Sequence, residues 1–375
     1  MTTVLHVLSG FHLAGIEQLA LQLVRHAPSE VDLELLNIDA LIQDFRESFE
    51  AVARDRTLKI YDWPKRDGLV LALCTFRHCR RQRPRSVMIY PCNRRLLWVA
   101  LGARLAGVKN IGVHYANPPL SLRQHLQWLA VLGCFVLLGV QVMPCSAALL
   151  QASGTLIRAL PLCRPIPNGV DVASISARAA TARHQRLIND PFTVLMTARL
   201  DEIKDQATLI AAFAKFHRHV PHSRLLLAGD GPLRHDLEQH AREAGLDPAA
   251  IFLGRRSDIP ELLGQADLFA YSTTSAEGAP FALIEAVAAG LPILSTAVAA
   301  CPEILDSGRA GMLLPSAAVD LWAEALMELW ADPGRRARLA AAARERAEAF
   351  DVRTTAATVY GQLLDGHEVA AAIDR

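Results

Sequence analysis

At 375 residues, 51% apolar and 21% charged, the chain exceeds one ordinary core and excludes a disordered polymer, so about two globular domains are expected. Its seven cysteines (Cys74, Cys79, Cys92, Cys134, Cys145, Cys163 and Cys301) form no C-x-x-C pair, which excludes a zinc ribbon and a disulfide scaffold and suits a reducing cytoplasm. The net charge of +1 conceals two halves of opposite sign: residues 1–165 carry 19 Lys/Arg against 11 Asp/Glu, and the rest is net −7.

The chain begins on a strand. Residues 1–10 lack the basic start of a signal peptide and end at a glycine. Short β-branched runs then alternate with helical ones. Strands are predicted at 4–9, 31–38, 86–90, 110–114 and 141–146, and helices at 16–25, 69–79 and 96–105. A polar, Arg- and Ala-rich segment at 174–190 interrupts the pattern, which restarts beyond it, and the linker is expected near 165–190. Strands follow at 192–197, 224–228, 251–253, 267–272 and 292–296, with helices at 204–219, 233–244 and 281–289. The tail, 319–364, reads as three helices broken at Pro333-Gly334 and Asp351. Such alternation means βαβ units and parallel sheets. Two runs of it predict two doubly wound Rossmann-like domains, 1–170 and 171–375, the second bearing the helical tail. Ligands of such sheets bind beyond the carboxyl ends of the strands, so the expected site is a cleft faced by both.

From Gly68 to Val170 there is no acidic residue, while Arg77, Arg80, Arg81, Arg83, Arg85, Arg94, Arg95, Arg104, Lys109 and Arg123 lie within the run. A field of one sign draws in an anionic partner: nucleic acid, an anionic membrane face or a phosphorylated lipid. A solvated basic face with no partner is the plain alternative. The same run holds an apolar stretch, 126–143. Gly139 and the strand after it limit the helix to 122–137, short for a membrane span, so a buried or surface-docked helix is expected.

Two glutamates eight positions apart, Glu277 and Glu285, flank a helix start signalled by Gly278 and Pro280. Unpaired N–H groups at such a terminus attract anions, and acids beside it suit sugar or ribose hydroxyls. Gly15, in the first strand–helix turn, permits close backbone approach to a ligand. Arg199 and Lys204, a fork and a point charge just past a strand, suit a diphosphate. His114 ends a strand and is either a substrate-orienting imidazole or a structural one. Gly229-Asp230-Gly231-Pro232 reads as a structural turn. There is no Asp-x-Asp for a metal-bound diphosphate.

The ordered series Gly15-Ile16-Glu17, Ile166-Pro-Asn-Gly-Val-Asp171, Ala198-Arg-Leu…Lys204, Ala228-Gly-Asp-Gly-Pro232, Phe252-Leu-Gly-Arg255 and Glu277-Gly-x-Pro…Leu-Ile-Glu285-Ala is similar to the retaining glycosyltransferases of family 4, which have the GT-B fold. The match is dense from Ile166 to Pro315 and thin before Ile111. The resemblance implies an acceptor-binding first domain and a second that binds a UDP- or GDP-sugar. Arg199 and Lys204 would hold the donor diphosphate, Glu285 the ribose, Glu277 the sugar hydroxyls, and Arg255 would lie beside the base. Backbone N–H groups at Gly15, Ala282 and Leu283 would join the phosphate site, and His114 would sit near the anomeric carbon. No cofactor and no metal are implied; departure of the nucleoside diphosphate is stabilised electrostatically. Two departures stand out. Ala14-Gly15 replaces the usual Gly-Gly of the first loop, and Ala299-Ala300 the Gly-Gly before Pro302-Glu303.

The expected function is hexose transfer to a lipid-linked or glycan acceptor, in polysaccharide biosynthesis, by an enzyme docked on the inner face of the cytoplasmic membrane. The alternatives are a nucleotide-sugar epimerase on the same fold and a non-catalytic nucleotide-sugar-binding subunit. A nucleic-acid binder would explain the basic run but none of the site residues.

Overall fold

The computed structural model of the chain describes residues 2–11, 15–116, 122–152, 162–187, 189–274 and 277–364. Two compact units result: Met1–Gly169 together with Val352–Arg375, and Val170–Asp351. Each is built on one six-stranded parallel sheet.

The first sheet runs β3-β2-β1-β4-β5-β6, formed by Thr2–Leu8 (β1), Val31–Asn37 (β2), Leu58–Asp62 (β3), Ser86–Tyr90 (β4), Asn110–Tyr115 (β5) and Gln141–Pro144 (β6). The second repeats that order in its own strands, β9-β8-β7-β10-β11-β12. These are Phe192–Thr197 (β7), Ser223–Ala228 (β8), Phe252–Gly254 (β9), Leu268–Tyr271 (β10), Ile293–Thr296 (β11) and Met312–Leu314 (β12). The inner strands are apolar and buried along nearly their whole length, as helix cover on both faces requires. In each sheet the strand order reverses once, between β1 and β4 and between β7 and β10. Those are the topological switch points where such folds bind ligands.

Three expectations are corrected. The segment at 174–190, read as part of the linker, is mostly helix, Val172–His184. Its Ala and Arg content favours helix, and Asp171 caps it by accepting from Ser174 N–H at 3.0 Å. Strands β3 and β12 and the helix Arg46–Asp55 were not expected. Both strands are short and lie at sheet edges, where one-sided pairing leaves no continuous apolar run to read. Third, the tail is not all part of the second unit. Val319–Ala331 and Pro333–Ala347 are, but Val352–Leu364 packs on the first sheet.

The reason for that return is visible in the last helix. Its residues Val352, Thr355, Ala356, Val359, Tyr360 and Leu363 are buried at helical spacing. Tyr360 donates to Leu23 O at 3.1 Å, so its hydroxyl accepts from His6 Nε2 at 3.0 Å. That leaves His6 Nδ1 to accept from the Tyr90 hydroxyl at 3.1 Å. Ser86 Oγ and the Arg85 guanidinium close the helix end through Leu363 O and Leu364 O. A fully buried polar chain is tolerated because each member is paired.

The helix Leu122–Leu137 has the expected bounds, and among the described residues no helix is long and apolar enough to cross a membrane. It lies on the surface of the first unit. Leu132 and Phe135 are buried, whereas Leu126 is 61% and Leu137 88% exposed.

Candidate active site

The second switch point brings two loops together. The segment after β7 and the segment after β10 are stitched by main-chain bonds: Asp205 N to Ser272 O at 3.2 Å and Thr274 N to Ile203 O at 3.0 Å. Ser272 Oγ adds a bond to Asp205 O at 2.7 Å. Lys204 and Thr273 thereby face each other across an antiparallel bridge.

This stitching converges Lys204 and Glu277. Their side chains form an ion pair and are only 13% and 14% exposed. Lys204 Nζ also donates to the Tyr271 hydroxyl at 2.6 Å and lies 5.1 Å from that ring's centroid. Thr273 Oγ1 donates to Ile203 O at 2.8 Å and lies 3.3 Å from Glu277 Oε1. A cation this well enclosed is costly unless paired, and carboxylate, hydroxyl and aromatic face together offset the cost.

Arg199 is placed differently. Its side chain is 71% exposed, and its nearest charged neighbour is Asp201, at 3.6 Å. Its backbone, by contrast, is fixed. Gln206 Nε2 donates to Arg199 O at 2.9 Å, and the 229–232 turn packs on the same strand end. A Cβ on Gly229 would meet Ala198 O at 1.9 Å, and one on Gly231 would meet Leu200 O at 2.2 Å. Only glycine permits that approach. Arg255 follows β9, two strands from β7, and is exposed.

The helix Phe281–Ala288 starts at the expected residue, with Pro280 just outside it rather than at its first helical position. Pro280 is its N-cap, extended at φ −67° and ψ 120°, and no side chain caps it. Leu283 N–H already donates to Pro280 O at 3.1 Å, and Ile284 N–H at 3.2 Å. The N–H groups of Phe281 and Ala282 precede any intrahelical acceptor and remain at the helix head. Glu285, one turn in, has no hydrogen-bond or charged partner among the described residues, and burial pushes its carboxyl up to about 7.

In the first unit, Gly15 opens the helix Gly15–Arg25 after β1; residues 12–14, Ala14 among them, lie outside the described residues. Glu17, in the first turn of that helix, is almost wholly buried, and desolvation raises its carboxyl to about 7. His114 sits in β5, buried, with Nε2 bonded to Asn168 Oδ1 at 3.2 Å. Asn168 belongs to the Ile166–Asp171 motif, which is anchored by Ile166 N to Pro144 O at 2.8 Å. That motif therefore holds the histidine. Burial pushes His114 down to about 4, so the ring is neutral at pH 7. Its Nδ1 has no partner among the described residues and is an open acceptor when Nε2 carries the proton.

At the second departure from the family pattern, Ala299 adopts φ +46°, the left-handed region where glycine is favoured. Sequence reading passed over Tyr271 and Thr273, and quoted Glu17 in a motif without giving it a role. The available signal was position: a hydroxyl-bearing residue at the end of β10, and an acid in the turn opening a helix.

Two parallel sheets of this strand order define the GT-B class of fold. A solved structure of Anabaena Alr3699/HepE with UDP superposes with a TM-score of 0.80, covering 97% of this chain and 99% of that one at 21% identity. Residues 178–346 match the family model described as "Glycosyl transferases group 1". A GDP-mannose-dependent alpha-(1-6)-phosphatidylinositol monomannoside mannosyltransferase of Mycobacterium tuberculosis is 30% identical over 217 residues, 55% of this chain and 56% of the relative. The chain thus spans about half the length of that curated relative. The putative glycosyltransferase EpsF of Bacillus subtilis is 26% identical over 92% of this chain and 89% of its own length.

Proposed function

We propose that the protein transfers a hexose, with retention and without a metal, from a nucleotide-diphosphate sugar to a lipid-linked acceptor. The observation that carries this reading is the Lys204–Glu277 pair at the second switch point, beside the open head of the helix Phe281–Ala288. In this assignment Lys204 and Arg199 neutralise the diphosphate, the N–H groups at the helix head add to it, and Glu285 accepts from the ribose hydroxyls. Glu277 accepts from the sugar, and Arg255 flanks the base. In the first unit, Gly15 lets backbone approach the phosphates and neutral His114 offers Nδ1 to a sugar hydroxyl. Stabilising the leaving diphosphate supplies the rate enhancement, because preorganised charges need no rearrangement as negative charge develops.

The mycobacterial relative is named for GDP-mannose, and Alr3699/HepE has been solved with UDP-glucose, so both donor classes are supported. A thermal-shift panel of UDP-, GDP- and ADP-sugars, in EDTA, tests the donor. Stabilisation by one class and not the others is expected; none by any would sink the reading.

The lipid acceptor is supported by the surface of the first unit. The helices Gly68–Gln82, Leu97–Leu105 and Leu122–Leu137 pack in succession. They expose Leu69, Val70, Leu73, Leu105, Leu126 and Leu137. Arg77, Arg80, Arg81 and Arg123 are exposed on the same helices. Arg104 is not part of this field, since its guanidinium is spent on Leu138 O, Val108 O, Lys109 O and Gly139 O. Apolar side chains among free cations suit reversible docking on an anionic leaflet, at about 1 kcal/mol per basic residue near the surface. Co-sedimentation should require anionic vesicles and weaken with salt. Equal recovery with neutral vesicles, or none with either, would remove the membrane assignment.

A further inference from the structure

We infer that Tyr271 is a positioning residue that fixes the Lys204 ammonium for a nucleoside diphosphate. This rests on the assignment of Lys204 to the donor diphosphate.

Tyr271 is the last residue of β10, so its ring is set by the sheet rather than by a loop. It is 1% exposed, and its hydroxyl is therefore desolvated. A buried hydroxyl costs free energy unless it is bonded. Here it accepts from Lys204 Nζ at 2.6 Å, and the same ammonium holds the Glu277 carboxylate. The cation thus joins the phenol to the anion. An ammonium has three N–H donors. One goes to Tyr271 and one to Glu277, and the third is left for a phosphate oxygen.

A lysine side chain alone is a flexible point charge. Without the phenol, Glu277 alone among the described side chains would orient the ammonium. With it, the ring face 5.1 Å from Nζ and the hydroxyl hold the cation in one place before any ligand arrives. Thr273 Oγ1 lies 3.3 Å from the same carboxylate oxygen, Glu277 Oε1. The cluster is therefore preorganised, and Tyr271 acts through Lys204 without touching substrate.

The test compares the parent, Lys204→Ala, Tyr271→Phe and the double variant by calorimetric titration with GDP, GMP, UDP and UMP. The parent should bind one of the two diphosphates. Tyr271→Phe keeps the ring and should weaken that diphosphate roughly tenfold, while leaving its monophosphate unchanged. The double variant should bind the diphosphate no more weakly than Lys204→Ala. A purely structural tyrosine would instead lower mono- and diphosphate binding alike, or add its loss to that of Lys204→Ala; either result overturns the inference, as does parental affinity in Tyr271→Phe. Failure of the underlying assignment looks different: the parent binds neither diphosphate, or Lys204→Ala binds it as the parent does. Melting curves check folding. If Tyr271→Phe does not fold, Tyr271→Met, which also lacks the hydroxyl, is judged by the same criteria.

Discussion

The two sheets share one strand order but surround some of their buried ionisable groups differently. In the first, His6 and His114 are buried without a carboxylate partner, and burial keeps both neutral, at about 3 and about 4. In the second, Lys204 is enclosed with matching groups, the Glu277 carboxylate and the Tyr271 hydroxyl. A neutral imidazole can offer a lone pair to a hydroxyl. A paired ammonium can offer charge to a diphosphate. The same strand order thus carries a neutral group in one unit and a paired charge in the other.

The charged half of this contrast should give the largest effect. Lys204→Ala should reduce turnover on the order of 10²–10³-fold in a nucleotide-release assay, as expected for one preorganised charge. A variant as active as the parent would make the two switch points equivalent and break the comparison.

The neutral half predicts acid sensitivity. His6 is depressed in the folded state, so its contribution is fully present above the unfolded value of 6.5 and is lost as pH falls toward 3. Urea denaturation at pH 5 and pH 7.5 should show this. His6→Leu should be less acid-sensitive but weaker at pH 7.5 by about 1–3 kcal/mol, because the Tyr90 hydroxyl loses its partner. An unchanged pH profile in His6→Leu would mean that other groups govern acid unfolding.

Glu285 limits the contrast, since it is an enclosed acid of the second unit with no partner among the described residues. Its carboxyl, raised to about 7, should gain charge between pH 6 and 8, and nucleotide affinity should rise over that interval. Glu285→Gln should be flat with pH and weaker at pH 8, on the order of tenfold. Parallel profiles for both proteins would remove the ribose assignment.

The smallest effect concerns backbone. Ala299→Gly should stabilise the second unit by about 1 kcal/mol, by relieving a left-handed alanine, and raise Tm by a few degrees. A lower Tm would mean that glycine's extra unfolded-state freedom outweighs that relief.

Legibility in the sequence followed burial and chain proximity. The inner strands β4 and β7 were readable to the residue because two-sided burial demands continuous apolar runs. The edge strands β3 and β12 were not, for the converse reason. Val352–Leu364 was readable as a helix, but its place was not, because His6, Leu23 and Tyr90, which anchor it, lie far away in the chain. In the site, Lys204 and Glu277 were legible as types at positions, yet their pairing depends on the loop stitching through Ser272 and Thr274. Tyr271 was hidden because an aromatic at the end of a strand reads as core, and only its hydroxyl's bonds distinguish it. Arg199 is the opposite case: named from the sequence, it points into solvent beside Asp201.

The most direct test of the account is calorimetric titration of the parent and Lys204→Ala with GDP-mannose and UDP-glucose, in EDTA. The account predicts saturable binding of one donor by the parent and its near-complete loss in Lys204→Ala. Binding of neither donor, or equal binding by both proteins, would contradict it.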